Sequence, residues 1–172
     1  MKRHSFAASL ALAVLVVLAV LGLTDPVAAG EQVPFKGVLE GTYTRTGAFP
    51  NFHVELSGSG QATHLGEFTL DMPHDLNLLA PPPLPTATGV FQFTAADGDT
   101  VYGTFTGRGG PSDLPGFILR VVETMTITGG TGRFDGASGV VISVRYLDGS
   151  NFIGAFEGTI SSPGAGDDDD DD

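Results

Sequence analysis

Apolar and polar residues alternate with a period of two along most of the chain after residue 29. Short runs rich in Val, Ile, Phe, Tyr and Thr are separated by Gly, Asp, Pro and Ser, a pattern typical of β-strands joined by turns. Apolar residues do not recur at the three- and four-residue spacing of an amphipathic helix. The pattern predicts eight strands, at residues 35–45, 52–59, 62–71, 88–95, 100–108, 117–128, 139–146 and 151–160.

Turn signals separate several of these strands. Asp97-Gly98 and Asp148-Gly149 lie at the centres of two predicted hairpins, and residues 58–61 are interpreted as a third connection. Eight strands joined in this way form an up-and-down antiparallel sheet, and closing the sheet into a barrel removes its unpaired edges. Glycines inside the strands would let them coil sharply, as at 37 and 41, 103 and 107, and 154 and 158. We therefore predict an all-β domain at residues 30–162: a single, closed, antiparallel barrel of roughly eight strands.

Residues 72–86 interrupt this rhythm. The segment carries prolines at 73, 81, 82, 83 and 85, which cannot sustain a central strand. It also carries leucines at 76, 78, 79 and 84, which are unusual in a solvated loop. We predict an inserted loop that covers a barrel mouth, a subunit interface or a ligand.

The two ends of the chain differ from the strand-rich part. Residues 1–29 combine a basic start, a long apolar run at 6–23 and small residues at 27–29, the order of a secretory signal peptide. We expect cleavage after Ala29; the alternative is an uncleaved anchor, because the run is nearly long enough to span a bilayer. A cleaved protein would be secreted or periplasmic, in the cell envelope, without stable membrane insertion. Residues 163–172 end in six aspartates and are expected to form a disordered acidic tail.

Charge and cysteine content narrow the function classes. The net charge of −12 disfavours nucleic acid as a partner, because an acidic surface repels phosphates. The chain has no cysteine, which removes disulfides, thiol catalysis and cysteine-ligated zinc. The histidines at 53, 64 and 74 lack the short spacing of metal ligands. We expect neither a metal nor a cofactor.

One glycine-rich stretch resembles a known family. Residues 129–134, Gly-Gly-Thr-Gly-Arg-Phe, are followed by Gly136, Ala137 and Gly139. The stretch is similar to one in dirigent proteins and allene-oxide-cyclase-type barrels; with Ala-Thr-His-Leu-Gly at 62–66, it also resembles exported bacterial proteins of unassigned function. The resemblance implies an eight-stranded barrel with an apolar lumen, often a homo-oligomer, and carries over no reaction. A phosphate loop is excluded because no Lys-Ser/Thr pair and no predicted helix follow.

Four polar residues are candidates for chemistry inside the barrel. Glu123 is in phase with the apolar positions of its strand, so it is expected to face the core. His64 and Tyr43 share the phase of apolar residues on their own predicted strands, and the pattern leaves the direction of Arg145 open. Glu123 with His64, Tyr43 or an arginine could orient a ligand or transfer a proton. The alternative is a purely structural network in which Glu123 is salt-bridged to Arg145.

Three functions remain open from the sequence. The lumen could bind a small apolar ligand, the barrel could be a structural or interaction protein with a filled lumen, or it could be a cofactor-independent cyclase or isomerase. The state of the lumen separates the second from the other two. A filled lumen would be occupied by Phe35, Leu39, Phe68, Phe91, Met125 and Phe156.

Overall fold

The computed structural model describes residues 30–79 and 86–161. The predicted signal peptide, the acidic tail and residues 80–85 lie outside the described residues. The strands are β1 (Gln32–Ala48), β2 (Asn51–Ala62), β3 (Gly66–Asp71), β4 (His74–Asn77), β5 (Thr86–Ala95), β6 (Thr100–Pro111), β7 (Leu119–Gly130), β8 (Gly139–Leu147) and β9 (Asn151–Ser161). A short 3₁₀ turn, Gly132–Phe134, lies between β7 and β8. Within these ranges no helix is long and apolar enough to cross a membrane.

The strands close into an antiparallel barrel. From β5 to β9 each strand pairs with the next in sequence, and the circle is completed because β1 pairs with both β9 and β2. The β1–β2 pairing is long, from Gly37 opposite Ala62 to Ala48 opposite Asn51. The predicted closed barrel is confirmed, and among the described strands closure leaves no long edge unpaired.

The third position in the wall is shared by two short strands. β3 pairs with residues 57–62 of β2 and β4 with residues 51–54, and both also pair with β5. Pro73 lies between them and has no N–H to donate to the ladder. The prediction of a loop over the whole of 72–86 is therefore wrong for β4, whose Leu76 packs against the core. Leu79, by contrast, is 64 % exposed.

The turn predictions had mixed outcomes. The hairpins at Gly98 and Gly149 are confirmed, and both glycines have positive φ angles, 95° and 121°. The connection predicted at 58–61 is wrong, because β2 continues through these residues to Ala62. The turn follows at residues 63–65. Gly58 and Gly60 therefore lie within a strand and face the barrel interior.

The core fills the inside of the barrel. Alternate residues of each strand point inward, and the bulkiest of the fully buried side chains are phenylalanines, among them Phe35, Phe91, Phe93 and Phe152. Phe134, from the 3₁₀ turn, packs into the same core at 1 % exposure. The single core of a barrel is its lumen, so the packing there decides whether the protein can hold a ligand.

Candidate functional site

One half of the barrel interior is occupied by aromatic rings. Phe93 is stacked on Phe156, with ring centroids 5.3 Å apart and an interplanar angle of 19°. Phe68 lies 4.7 Å from Phe93, and Phe35 lies 5.1 Å from Phe156. Phe91 adds a further contact with Phe93 at 5.2 Å. These separations are those of rings in van der Waals contact, so the cluster is continuous.

Inward-facing glycines make room for these rings. A Cβ atom at Gly60 would lie 2.7 Å from Cζ of Phe68, and one at Gly37 would lie 2.8 Å from Cζ of Phe156. Such distances are well inside van der Waals contact, so even an alanine would collide with the ring. Gly41 and Phe152 repeat the relationship at 2.8 Å. The glycines of the strands are therefore the counterpart of the phenylalanines, and together they fill the lumen.

The residues expected to occupy a filled lumen do so. All six are at most 4 % exposed: Phe35, Leu39, Phe68, Phe91, Met125 and Phe156. Grooves of about 440 to 850 Å³ on the described surface are lined largely by outward-facing residues of the wall. The interior behaves as a packed core, as small eight-stranded barrels allow.

The other half of the interior contains a buried ion pair. Arg145 Nε donates a hydrogen bond of 2.9 Å to Oε2 of Glu123, and Arg145 Nη2 donates to Oε1 of the same carboxylate. The two side chains are 3 % and 0 % exposed. The guanidinium also lies over the Phe152 ring, 5.4 Å from its centroid. The expectation that Glu123 faces inward is confirmed, and Arg145, whose direction was open, is its partner.

Two glycines give the ion pair its space. A Cβ at Gly107 would lie 2.7 Å from Cγ of Glu123, and one at Gly154 would lie 2.8 Å from Cγ of Arg145. Within the described residues, Arg145 Nη1 is buried without a hydrogen-bond partner. The carboxylate is held in a two-point contact, which suits a structural pair better than a general acid or base that must reach a substrate.

His74 is a buried polar residue whose environment the sequence did not reveal. It is 8 % exposed, its ring packs edge-on against Phe105, and its Nδ1 donates a hydrogen bond of 2.9 Å to the carbonyl of Met72. Burial lowers the pKa of His74 below its ordinary value of 6.5, and the positive charge of Arg145 adds to the shift. The folded core therefore favours the neutral form of the His74 imidazole. The alternation of β4 would have placed it inward, had that strand been recognised.

The remaining two candidates do not join the ion pair. His64 lies in the turn between β2 and β3, is exposed, and has a positive φ of 62°. The expectation that it faces inward is wrong, because the alternation of β3 does not extend into the turn. Its ring contacts the carbonyl of Pro34 through Nε2 at 3.1 Å. Tyr43 is half-buried and packs against the core, as its phase predicted.

Arg133 connects three loops at one end of the barrel. Its guanidinium contacts the carboxylates of Asp97 and Asp99 in the β5–β6 turn, the latter at 2.7 Å. It also lies within hydrogen-bond distance of the carbonyls of His64 and Leu65. Gly132 has a positive φ of 59°, and a side chain there would collide with Asp99. The glycine-rich stretch is thus a structural turn, stabilised by Arg133 on its polar side and by Phe134 on its apolar side.

A second histidine contact lies on the outer wall. His53 of β2 is within 2.9 Å of Asp75 through Nδ1 and within 3.0 Å of Glu55 through Nε2. These carboxylates raise the pKa of His53 above 6.5, and Asp75 has the larger effect. Asp75 belongs to β4, so the contact joins this short strand to β2. Across the described ranges, no three His, Asp or Glu side chains are arranged to hold a metal ion.

Comparison of the chain with known proteins adds no assignment. No family model matches it, and no curated protein matches it.

Proposed function

We propose that this protein is an exported structural or interaction module that acts through its outer surface. The observation that carries the proposal is the filled lumen: phenylalanine rings seated against inward-facing glycines in one half, and the Glu123–Arg145 pair in the other. A domain whose interior is its own core binds partners on its exterior.

The alternatives require features that the interior lacks in its described part. A lumen that binds an apolar ligand needs open space, whereas all six residues expected to fill it are buried in one hydrophobic cluster. A cyclase or isomerase that uses one carboxylate needs that group free to meet its substrate. Glu123 is instead fully buried and held by two nitrogens of Arg145. These contacts favour the filled, structural barrel over both alternatives.

Native mass spectrometry of the protein purified from its own host tests the proposal. We expect the mass of the processed chain, or of its multiples, with no retained small molecule. Phe93→Ala provides a positive control, because Phe93 is fully buried at the centre of the ring cluster and its truncation opens an apolar cavity of the kind that binds benzene.

Calorimetric titration with benzene should then show binding to Phe93→Ala and none to the wild-type protein. A stoichiometric small molecule on the native protein would overturn the proposal. Benzene binding by the wild type, with the affinity of the variant, would also overturn it, because it would reveal a lumen that is already open.

A further inference from the structure

The outer wall formed by β1, β9 and β8 is apolar. Six side chains make up this surface, which we call the apolar wall: Val38, Val140, Ile142, Val144, Ile153 and Ala155. Val38 lies opposite Ala155 on β9, and Ala155 lies opposite Val144 on β8. Cross-strand partners on one face are in contact distance, so the surface is continuous across three strands.

Four of these six apolar side chains are largely exposed to solvent. Val38 is 59 % exposed, Val140 48 %, Ile142 46 % and Ile153 41 %. β8 is the strongest case, because apolar residues occupy its outward positions while its inward positions include Ser143 and Arg145. A strand that is apolar toward solvent and partly polar toward the core breaks the usual alternation of a two-faced sheet.

The neighbouring part of the wall, formed by β2 and β3, keeps that alternation. Polar residues occupy every outward position of β2 and β3: Asn51, His53, Glu55, Ser57, Ser59 and Gln61 on β2, and Glu67, Thr69 and Asp71 on β3. The apolar wall is therefore a local feature of one side. A groove of about 810 Å³ runs along it, with Val38, Ile142, Val144 and Ala155 in its lining. A contiguous exposed apolar surface of this kind marks an interaction site.

The charges around the apolar wall indicate which partner fits. Four charged residues lie on or beside it, two of each sign. Glu157 is the cross-strand partner of Ile142, and Lys36, Glu40 and Arg120 lie at its margin. Lys36 and Glu157 are cross-strand partners, yet among the described residues none of the four forms an ion pair within 4.0 Å. The described part as a whole has six Lys and Arg against thirteen Asp and Glu, a net charge of −7. Two copies that met through the carboxylate-bearing face of β2 and β3 would repel each other. The apolar wall instead carries equal numbers of both signs.

We propose that the apolar wall is the surface through which a second copy of this chain docks. The inference deepens the proposed function, because it names the partner of the interaction module and the surface that it uses. Symmetric association brings the same surface of both copies together, so the apolar wall of each copy is covered by that of the other. Lys36 and Arg120 of one copy would then face carboxylates at the edge of the other.

Sedimentation velocity of the full chain, as its host processes it, tests this proposal. We expect reversible self-association of the wild type and its weakening by about tenfold or more in the double variant Val38→Lys/Ile142→Lys, which places like charges in the contact. Val90→Lys is the matched control, because Val90 is 52 % exposed on the outward face of β5, away from the apolar wall. The milder double variant Val38→Thr/Ile142→Thr preserves strand propensity and is expected to weaken association in the same direction.

Each outcome has a defined meaning. A wild type that stays monomeric at every concentration overturns the proposal, as does an association that Val90→Lys weakens as much as the double variants. A wild type that associates only with a different protein of the host also overturns the proposal, in favour of a heterologous partner. None of these results bears on the proposed function with a filled lumen, because small-molecule binding is measured separately from the oligomeric state.

Discussion

Arg145 and Glu123 form a two-point ion pair across adjacent strands, inside the barrel and out of contact with solvent. The register places Arg145 of β8 opposite Val121 and Glu123 of β7 opposite Ser143, so the two side chains approach along a diagonal. Moving both charges out of water is costly, and the attraction between them offsets that cost only while both partners remain. The pair therefore specifies the arrangement of this half of the interior more than it adds net stability.

Removing one partner of this pair should destabilise the fold strongly. We expect Glu123→Gln to lower the free energy of unfolding by about 3 to 5 kcal/mol, because Arg145 is left as an uncompensated buried charge. Urea denaturation followed by circular dichroism measures this change. The double variant Glu123→Leu/Arg145→Met should recover most of the loss, since it removes both charges and retains apolar volume. A cost for Glu123→Gln as small as that of a surface substitution would contradict the structural role of the pair.

The glycine–phenylalanine packing predicts that adding one methyl group is harmful. Gly60→Ala places a Cβ 2.7 Å from the Phe68 ring and against the carbonyl of Val38, and overpacking of this kind costs about 1 to 3 kcal/mol. Gly109→Ala is the control, since its Cβ would meet Leu119 at an ordinary 3.4 Å. Thermal unfolding of both variants should show a clearly larger decrease for Gly60→Ala. Equal effects would mean that loss of glycine flexibility, rather than ring packing, determines the result.

His74 should make the fold sensitive to mild acid. Burial lowers the pKa of His74 in the folded state below 6.5. Just below pH 6.5 this side chain therefore binds a proton more readily in the unfolded chain than in the folded protein. Its contribution to stability is present above pH 6.5 and is lost as pH falls toward the lowered folded pKa, by up to about 1.4 kcal/mol per pH unit. Urea denaturation at a series of pH values should show this slope in the wild type. The slope should disappear in His74→Gln, whose side chain stays neutral; an unchanged slope would assign it to other groups.

His53 should respond to pH in the opposite direction. Its pKa is raised by Asp75 and then by Glu55, so its stabilising contact is present below pH 6.5 and is lost as pH rises through the raised folded pKa. Titration of the ring by NMR should give a pKa above 6.5. Asp75→Asn should reduce the shift more than Glu55→Gln does, because Asp75 is the larger cause. The protection factors of amides in β4, which remove the intrinsic rise of the exchange rate with pH, should fall above this pKa, since Asp75 belongs to that strand. Protection factors that stay constant across this pKa would show that β4 is held by its backbone pairing alone.

The misplaced residues show where local pattern stops being informative. Period-two alternation predicts an inward direction for His64, but a turn with positive φ places this residue in solvent. Residues 58–61 have the composition of a turn, yet they belong to β2 because Gly58 and Gly60 face the rings of Phe152 and Phe68. The sequence does not distinguish a glycine required by the backbone of a turn from a glycine in a strand that leaves space for an aromatic ring. Only the neighbouring strands distinguish the two.

Local sequence pattern was enough to predict the all-β class, the approximate positions of most strands, the hairpins at Gly98 and Gly149, and the inward direction of Glu123. These features follow from local rules, namely side-chain alternation and the positive φ that glycine tolerates. Tertiary structure alone decided the pairing of Glu123 with Arg145, the split between β3 and β4, the filling of the lumen, and the continuity of the apolar wall. Each of these depends on cross-strand register between residues far apart in the chain, and a shift of one residue would turn every side chain to the other face.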